Sequence, residues 1–169
     1  MMGEKDPTRV DMVQFHQSYS YEDFVQGLRP NNAGQFQLQD GVFFRFCKRA
    51  AEDDRPYVFI IDEINRGNLS RILGELMMLI EADKRGPAWA VSLTYGGDGD
   101  AFYVPENVYL IGTMNTADRS LAMVDYALRR RFSFLTLEPA YNSEAFCDHL
   151  EARAVPDTLI AKINARIGR

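Results

Sequence analysis

Three apolar runs punctuate the chain, and each stops against polar or acidic residues. Positions 10–15 alternate apolar and polar side chains, the period-two pattern of a strand with one buried face. Positions 57–61 (YVFII) are continuously apolar behind Pro56, as in a parallel-sheet strand covered on both faces. Positions 108–112 (VYLIG) repeat that run. Between the runs, apolar residues recur at helical spacing. Ser20 is placed to cap a helix over YEDFVQGL that Gly27 and Pro30 should stop. Residues 31–40 read as a polar loop carrying a short strand. Val42, Phe43, Phe46 and Ala50 give one apolar face to a helix over 41–51, and Ile72, Leu73, Leu76, Leu79 and Ile80 do so for a helix over 69–82.

Beyond that point, GGDGD at 96–100 predicts a hairpin turn between 89–95 and 101–104. A short helix over 121–130 and a strand over 132–137 follow. A helical tail broken at Pro156 has Phe146, Leu150, Leu159, Ile163 and Ile167 as its apolar positions. Helices alternating with buried strands predict an α/β layered fold, with ligands at the carboxyl ends of the strands.

Composition narrows this picture. At 169 residues and 46% hydrophobic content the chain can bury one sizeable core. A net charge of -5 argues against a general polyanion-binding surface. Cys47 and Cys147 stand in no metal-ligand spacing and read as reduced thiols. Neither a secretory signal nor an apolar run of membrane-spanning length is present, so a soluble cytoplasmic protein is expected.

Three groups carry candidate chemistry. FIIDEINR delivers adjacent carboxylates, Asp62 and Glu63, to the tip of a buried strand. One reading is a Walker B pair, Asp62 holding the water shell of Mg²⁺ and Glu63 polarising a water that attacks a terminal phosphate. The other is two solvated acids. Asn115, just past the next buried strand, would contact that phosphate or water, or else close the strand as an Asx-turn. Arg129, Arg130 and Arg131 follow a short helix, either as arginine fingers for a neighbouring subunit or as a charged helix end.

The strings FHQSYSYEDFVQGLRP, FIIDEINRGNLSRILGELMMLIE and FYVPENVYLIGTMNTADRSLAMVDYALRRRFSF together resemble the McrB branch of AAA+ proteins, over residues from about 10 to 140. That resemblance implies a P-loop NTPase core with a β-hairpin insertion over 1–140 and the start of a carboxyl-terminal helical lid over 141–169. Asp62 and Glu63 match the Walker B pair, and Asn115 the sensor 1 position. Arg129 and Arg130 lie where the family places trans-acting arginines. Nucleotide-dependent rings of AAA+ subunits, GTP or ATP as substrate with Mg²⁺, and a nuclease partner of the McrC type are implied, with DNA contact indirect. NTAD also resembles a guanine-reading motif with Asn115 and Asp118 as its outer pair, but its middle lysine is missing.

The departure from the family lies in the phosphate cradle. That loop needs GxxxxGK[ST], whose backbone N–H groups surround the phosphates while the lysine offsets their charge. None of the four lysines, Lys5, Lys48, Lys84 and Lys162, follows a glycine. The expectation is a core without its first strand and phosphate loop, arising from a split or shortened gene or a boundary, with Met1 favouring a gene. Such a chain would be inactive alone. The alternative is a non-catalytic assembly or arginine-donating module that docks on complete AAA+ subunits.

Overall fold

A computed structural model describes residues 6–97, 101–115, 129–137, 141 and 143–167. It divides into two units, Met1–Phe132 and Ser133–Arg169. Along the first unit run β1 (Val10–Gln14), α1 (Tyr21–Phe24), β2 (Gln26–Pro30), β3 (Phe36–Asp40), α2 (Val42–Ala51), β4 (Tyr57–Asp62), α3 (Leu69–Leu73), α4 (Leu76–Leu79), β5 (Val91–Ser92), β6 (Ala101–Phe102) and β7 (Val108–Gly112). The three apolar runs form one parallel sheet in the order β1-β4-β7. Val10 pairs with Val58 and Gln14 with Asp62 on one side of β4, while Tyr57 pairs with Val108 and Ile61 with Gly112 on the other.

One face of this sheet carries the core. Tyr57, Phe59 and Ile61 alternate inward along β4 and are buried. Phe59 meets Phe24, Phe43 and Phe46 edge-on at centroid distances of 5.8, 5.0 and 5.0 Å, and Phe24 stacks on Phe43 at 4.9 Å. These four phenylalanines are fully buried, and each contributes roughly 1.5–3 kcal/mol of apolar burial. The other face is partly exposed among the described residues. Its rows are Val10-Val58-Tyr109 and Met12-Ile60-Ile111, with Met12 56%, Tyr109 57% and Ile111 48% exposed. YVFII, composed for two covered faces, has one fully covered among the described residues.

Asn107 fixes where β7 enters the sheet. Its backbone carbonyl accepts from Tyr57 N at 2.9 Å, and its side-chain Nδ2 lies 3.0 Å from Ala50 O, 2.5 Å from Asp53 O and 2.8 Å from Arg55 O. The end of α2, the loop after it and the start of β7 are thereby joined.

Three predicted elements differ. The helix expected over YEDFVQGL is a single turn, started by Ser20 and Asp23 (Ser20 Oγ donates to Asp23 Oδ2 at 2.8 Å), because the chain turns at Val25 into β2. β2 pairs with β3 antiparallel across five positions, Gln26 with Asp40 through Pro30 with Phe36. The helix expected over 69–82 is split at Gly74, whose φ of +49° ends α3, with the Tyr21 ring 2.9 Å from where a Cβ would sit. Residues 132–137 form no strand. The helix expected over 121–130 falls mostly outside the described residues. The predicted hairpin is present as the antiparallel pair β5-β6, Val91 opposite Phe102.

The second unit contains α5 (Glu144–Glu151) and α6 (Asp157–Ile167), on either side of Pro156. Ser143 Oγ accepts from Phe146 N at 3.1 Å and caps α5, and Asn164 of α6 reaches Cys147 Sγ of α5 at 3.3 Å. No helix among the described residues is long and apolar enough to cross a membrane.

Candidate functional site

Parallel pairing brings three strand ends together, and Asp62 sits on the middle one. The register puts Gln14 beside it on β1, and Gln14 Nε2 donates to Asp62 Oδ2 at 2.9 Å. From the other side Thr113, next after β7, donates its hydroxyl to Asp62 Oδ1 at 2.5 Å. Each carboxylate oxygen so holds one donor and retains acceptor capacity for another. The backbone frames the same tip: Phe15 N donates to Asp62 O, Thr113 N to Ile61 O and Ile64 N to Thr113 O, each at 2.9 Å.

Glu63 follows in a left-handed conformation, φ 52° and ψ 44°, and turns the chain into a 3₁₀ segment, Ile64–Arg66. A non-glycine residue held there costs on the order of 1–3 kcal/mol and persists only where surrounding structure imposes it. Here the imposition is visible: Ile64 is buried and hydrogen-bonded to Thr113 O, and its Cδ1 lies 2.9 Å from where a Cβ on Gly112 would be. The Glu63 carboxylate does not point into bulk water. Its buried Oε2 lies 3.1 Å from Arg66 Nε, an ion pair outside hydrogen-bond alignment.

Asn115 is exposed three residues past the end of β7, on the stretch that begins with Thr113. Asp118 lies outside the described residues. Among the described residues no cluster of three or more His, Cys, Asp or Glu side chains could cage a metal ion. Mg²⁺ that keeps several waters and takes phosphate oxygens as further ligands is nevertheless commonly held by only one or two carboxylates. Asp62 fits that mode.

The arginine triplet divides. Arg129 and Arg130 are exposed, whereas the Arg131 side chain is only 8% exposed, its Nη2 2.9 Å from Glu81 Oε1. Glu81 Oε2 pairs with Lys84 at 2.5 Å. The Lys84 hydrogen bond, with the Arg131 and Arg130 charges, holds the Glu81 carboxyl below the usual range. Next to it, Arg85 is half-buried. Its guanidinium donates to the carbonyls of Ile80 at 2.7 Å, Glu81 at 3.2 Å and Val108 at 3.2 Å. Arg85 thereby ties the backbone at Ile80 and Glu81 to Val108 at the start of β7. Asp62 and Thr113 lie beyond its end, about 16 Å along a strand rising about 3.3 Å per residue.

The chain matches the AAA domain of the dynein-related subfamily over residues 4–132. It belongs to that family. It is 59% identical over 170 residues to the type IV methyl-directed restriction enzyme EcoKMcrB subunit of Escherichia coli (strain K12), covering 97% of this chain and 37% of that protein. It is 31% identical over 133 residues to the type II restriction enzyme BsuMI component YdiS of Bacillus subtilis (strain 168), covering 72% of this chain and 38% of that one. The chain thus spans under two fifths of each of these relatives. Among solved structures, a protein assigned as an ATPase from Cytophaga hutchinsonii superposes with a TM-score of 0.50 at 15% identity, over 86% of this chain and 38% of that one. That likeness concerns the α/β fold. The McrB-type AAA resemblance read from FIIDEINR, MNTADRS and RRRF agrees with these matches.

The structure brings Asp62 and Glu63 together with three residues that reading the sequence passed over. Gln14 and Thr113 enter through strand register, and Arg66 through the 3₁₀ turn. Thr113, in the GTMN stretch, was open to suspicion from its place at a strand end. Arg66 ends the FIIDEINR string without a role of its own there, and Gln14 carried no comparable signal.

Proposed function

We propose that this chain is a nucleotide-hydrolysing ring subunit of a modified-DNA restriction system, with GTP or ATP as substrate. The observation that carries the reading is Asp62, clamped by Gln14 and Thr113 at the tip of the central strand and followed by a strained Glu63. In this reading Asp62 holds the water shell of Mg²⁺, which when bound supplies positive charge to the phosphate oxygens. Glu63, released from Arg66, takes a proton from the water whose oxygen attacks the terminal phosphorus as the bond to the nucleoside diphosphate breaks. Asn115 orients that water or phosphate, and Asp118 contributes to nucleotide binding.

Arg129 and Arg130 act on a neighbouring subunit's nucleotide. Their exposure, beside an Arg131 side chain held inward by Glu81, supports this. The chain contains no GxxxxGK[ST] loop, so the phosphate cradle must come from another segment or subunit, and the chain by itself is inactive. Residues 1–140 serve as the AAA+ core and 141–169 as the start of a helical lid. The partners are other AAA+ subunits and a nuclease subunit of the McrC type, in the cytoplasm, with DNA contact indirect.

The exposure of Arg129 and Arg130 also favours a second reading, a non-catalytic module that docks on complete subunits and only donates arginines. Mg²⁺-dependent GTP and ATP hydrolysis is measured for the purified chain alone, then mixed with the E. coli McrB subunit carrying alanine at its matching arginines. Silence alone and rescue in the mixture, abolished by Arg129→Ala or Arg130→Ala, is the expected result. Turnover by the chain alone would overturn the dependence on a supplied phosphate loop, and no rescue would overturn the donation of arginines.

A further inference from the structure

We infer that Gln14 and Thr113 are positioning residues that lock the Asp62 carboxylate in one orientation for a hydrated Mg²⁺. This rests on the proposal that Asp62 holds the water shell of that ion. An aspartate carboxylate turns easily about its last torsion, whose energy wells are broad and two-fold. Asp62 has little of that freedom. β4 lies between β1 and β7, so the Gln14 amide reaches Oδ2 from one flank and the Thr113 hydroxyl reaches Oδ1 from the other. A single donor would leave the second oxygen free to swing, whereas two donors on separate oxygens hold both. Each oxygen keeps acceptor capacity. Asp62 is half-buried between two exposed partners, so that capacity remains reachable from solvent.

Neither side chain is needed to hold the strands together. β1 and β4 pair across five backbone positions, Val10 with Val58 through Gln14 with Asp62. Thr113 is joined to the β4 tip through its own backbone, its N–H donating to Ile61 O and its carbonyl accepting from Ile64 N. Those bonds persist when the Gln14 amide or the Thr113 hydroxyl is removed. What the two side chains add is therefore confined to the carboxylate between them. Residues that orient a metal ligand contribute roughly 10- to 100-fold to metal affinity, and that is the scale expected of each.

Fe²⁺ is the probe, because it takes oxygen ligands in place of Mg²⁺ and, with ascorbate and hydrogen peroxide, generates hydroxyl radicals that cut the backbone beside the bound ion. The full chain is exposed to a series of Fe²⁺ concentrations and the fragments are read by mass spectrometry, so no turnover is needed. Wild type is expected to be cut beside Asp62 and Thr113, with excess Mg²⁺ suppressing the cuts and Asp62→Asn abolishing them. The shape-conserving changes Gln14→Met and Thr113→Val are each expected to raise the half-maximal Fe²⁺ concentration roughly 10-fold or more, with the melting temperature unchanged. Thr113→Ser, which keeps the hydroxyl, is expected to retain the wild-type value. Wild-type Fe²⁺ dependence in Gln14→Met or Thr113→Val, or a loss that Thr113→Ser shares, would overturn the inference while abolition by Asp62→Asn leaves the Asp62 reading standing. Cuts that survive Asp62→Asn, or a wild-type chain that is not cut at these strand ends, would overturn both.

Discussion

Asn107 offers the sharpest test of how the site is held in place. One side-chain amide serves three carbonyls, and with two hydrogens it satisfies two of them well at any moment. Asn107→Ala removes both bonds and leaves the carbonyls of Ala50 and Asp53, in part-buried surroundings, to find water. At about 1 kcal/mol net per bond the loss is about 2 kcal/mol. For a unit of this size that lowers the melting temperature by roughly 8 °C. Asn107→Asp should be worse at neutral pH, since an ionised carboxylate donates nothing and sets a negative charge against three carbonyl oxygens. Its folded pKa is therefore raised above the unfolded value of about 3.9. With the proton bound more tightly in the folded state, stability is highest below the unfolded pKa, falls as pH rises through the folded one and is flat beyond. Trp89, the single tryptophan, lies in the first unit and reports its melting by fluorescence. Melts from pH 4 to 7 should show the Asp variant approaching wild type at the acid end and dropping below the Ala variant at the neutral end. An Ala variant within about 0.5 kcal/mol of wild type, or an Asp variant whose deficit relative to Ala is the same at every pH, would refute the reasoning.

Two further expectations concern the sheet face and the thiols. The partly exposed rows containing Met12, Tyr109 and Ile111 should make the isolated chain self-associate, and Met12→Lys with Ile111→Lys should reduce the sedimentation-weight average toward the monomer; a wild-type chain that sediments as a stable monomer speaks against this. Burial pushes the Cys47 thiol far above its ordinary range, so a thiol reagent at pH 8 should label Cys147 in the folded chain and reach Cys47 only on unfolding; mass spectrometry showing early labelling of Cys47 would contradict that burial.

What the sequence made legible depended on how far each feature relies on neighbours. The three sheet strands are continuous or alternating apolar runs, and each is found within a residue of its expected bounds. β2 escaped because Gln26, Gly27, Arg29 and Pro30 are poor strand formers. Its stability comes from pairing with β3 and from contacts such as Gln26 Nε2 to Asp40 Oδ1 at 3.2 Å. Gly74 sits among Ile72, Leu73 and Leu76, so helical periodicity runs straight through it; the break comes from a positive φ and the overlying Tyr21 ring. The site followed the same rule. Asp62 and Glu63 announce themselves at a strand end, but Gln14 depends on register. Arg131 differs from its two predecessors through contacts such as that with Glu81, fifty residues earlier.

The order in which the chain can fold follows from the separation of the strands. Asp62 meets Gln14 from 48 residues upstream and Thr113 from 51 residues downstream. The β2-β3 pair, by contrast, closes over a handful of residues and can form within microseconds. Non-local parallel pairing bears its loop-closure entropy before any contact compensates, so it is the slow step. The clamp around Asp62 is thus among the last features to form, and during synthesis it cannot exist until β7 has left the ribosome. Any kinetic lesion in joining β7 to β4 would then appear as a missing clamp around Asp62 while the local hairpins and helices still form.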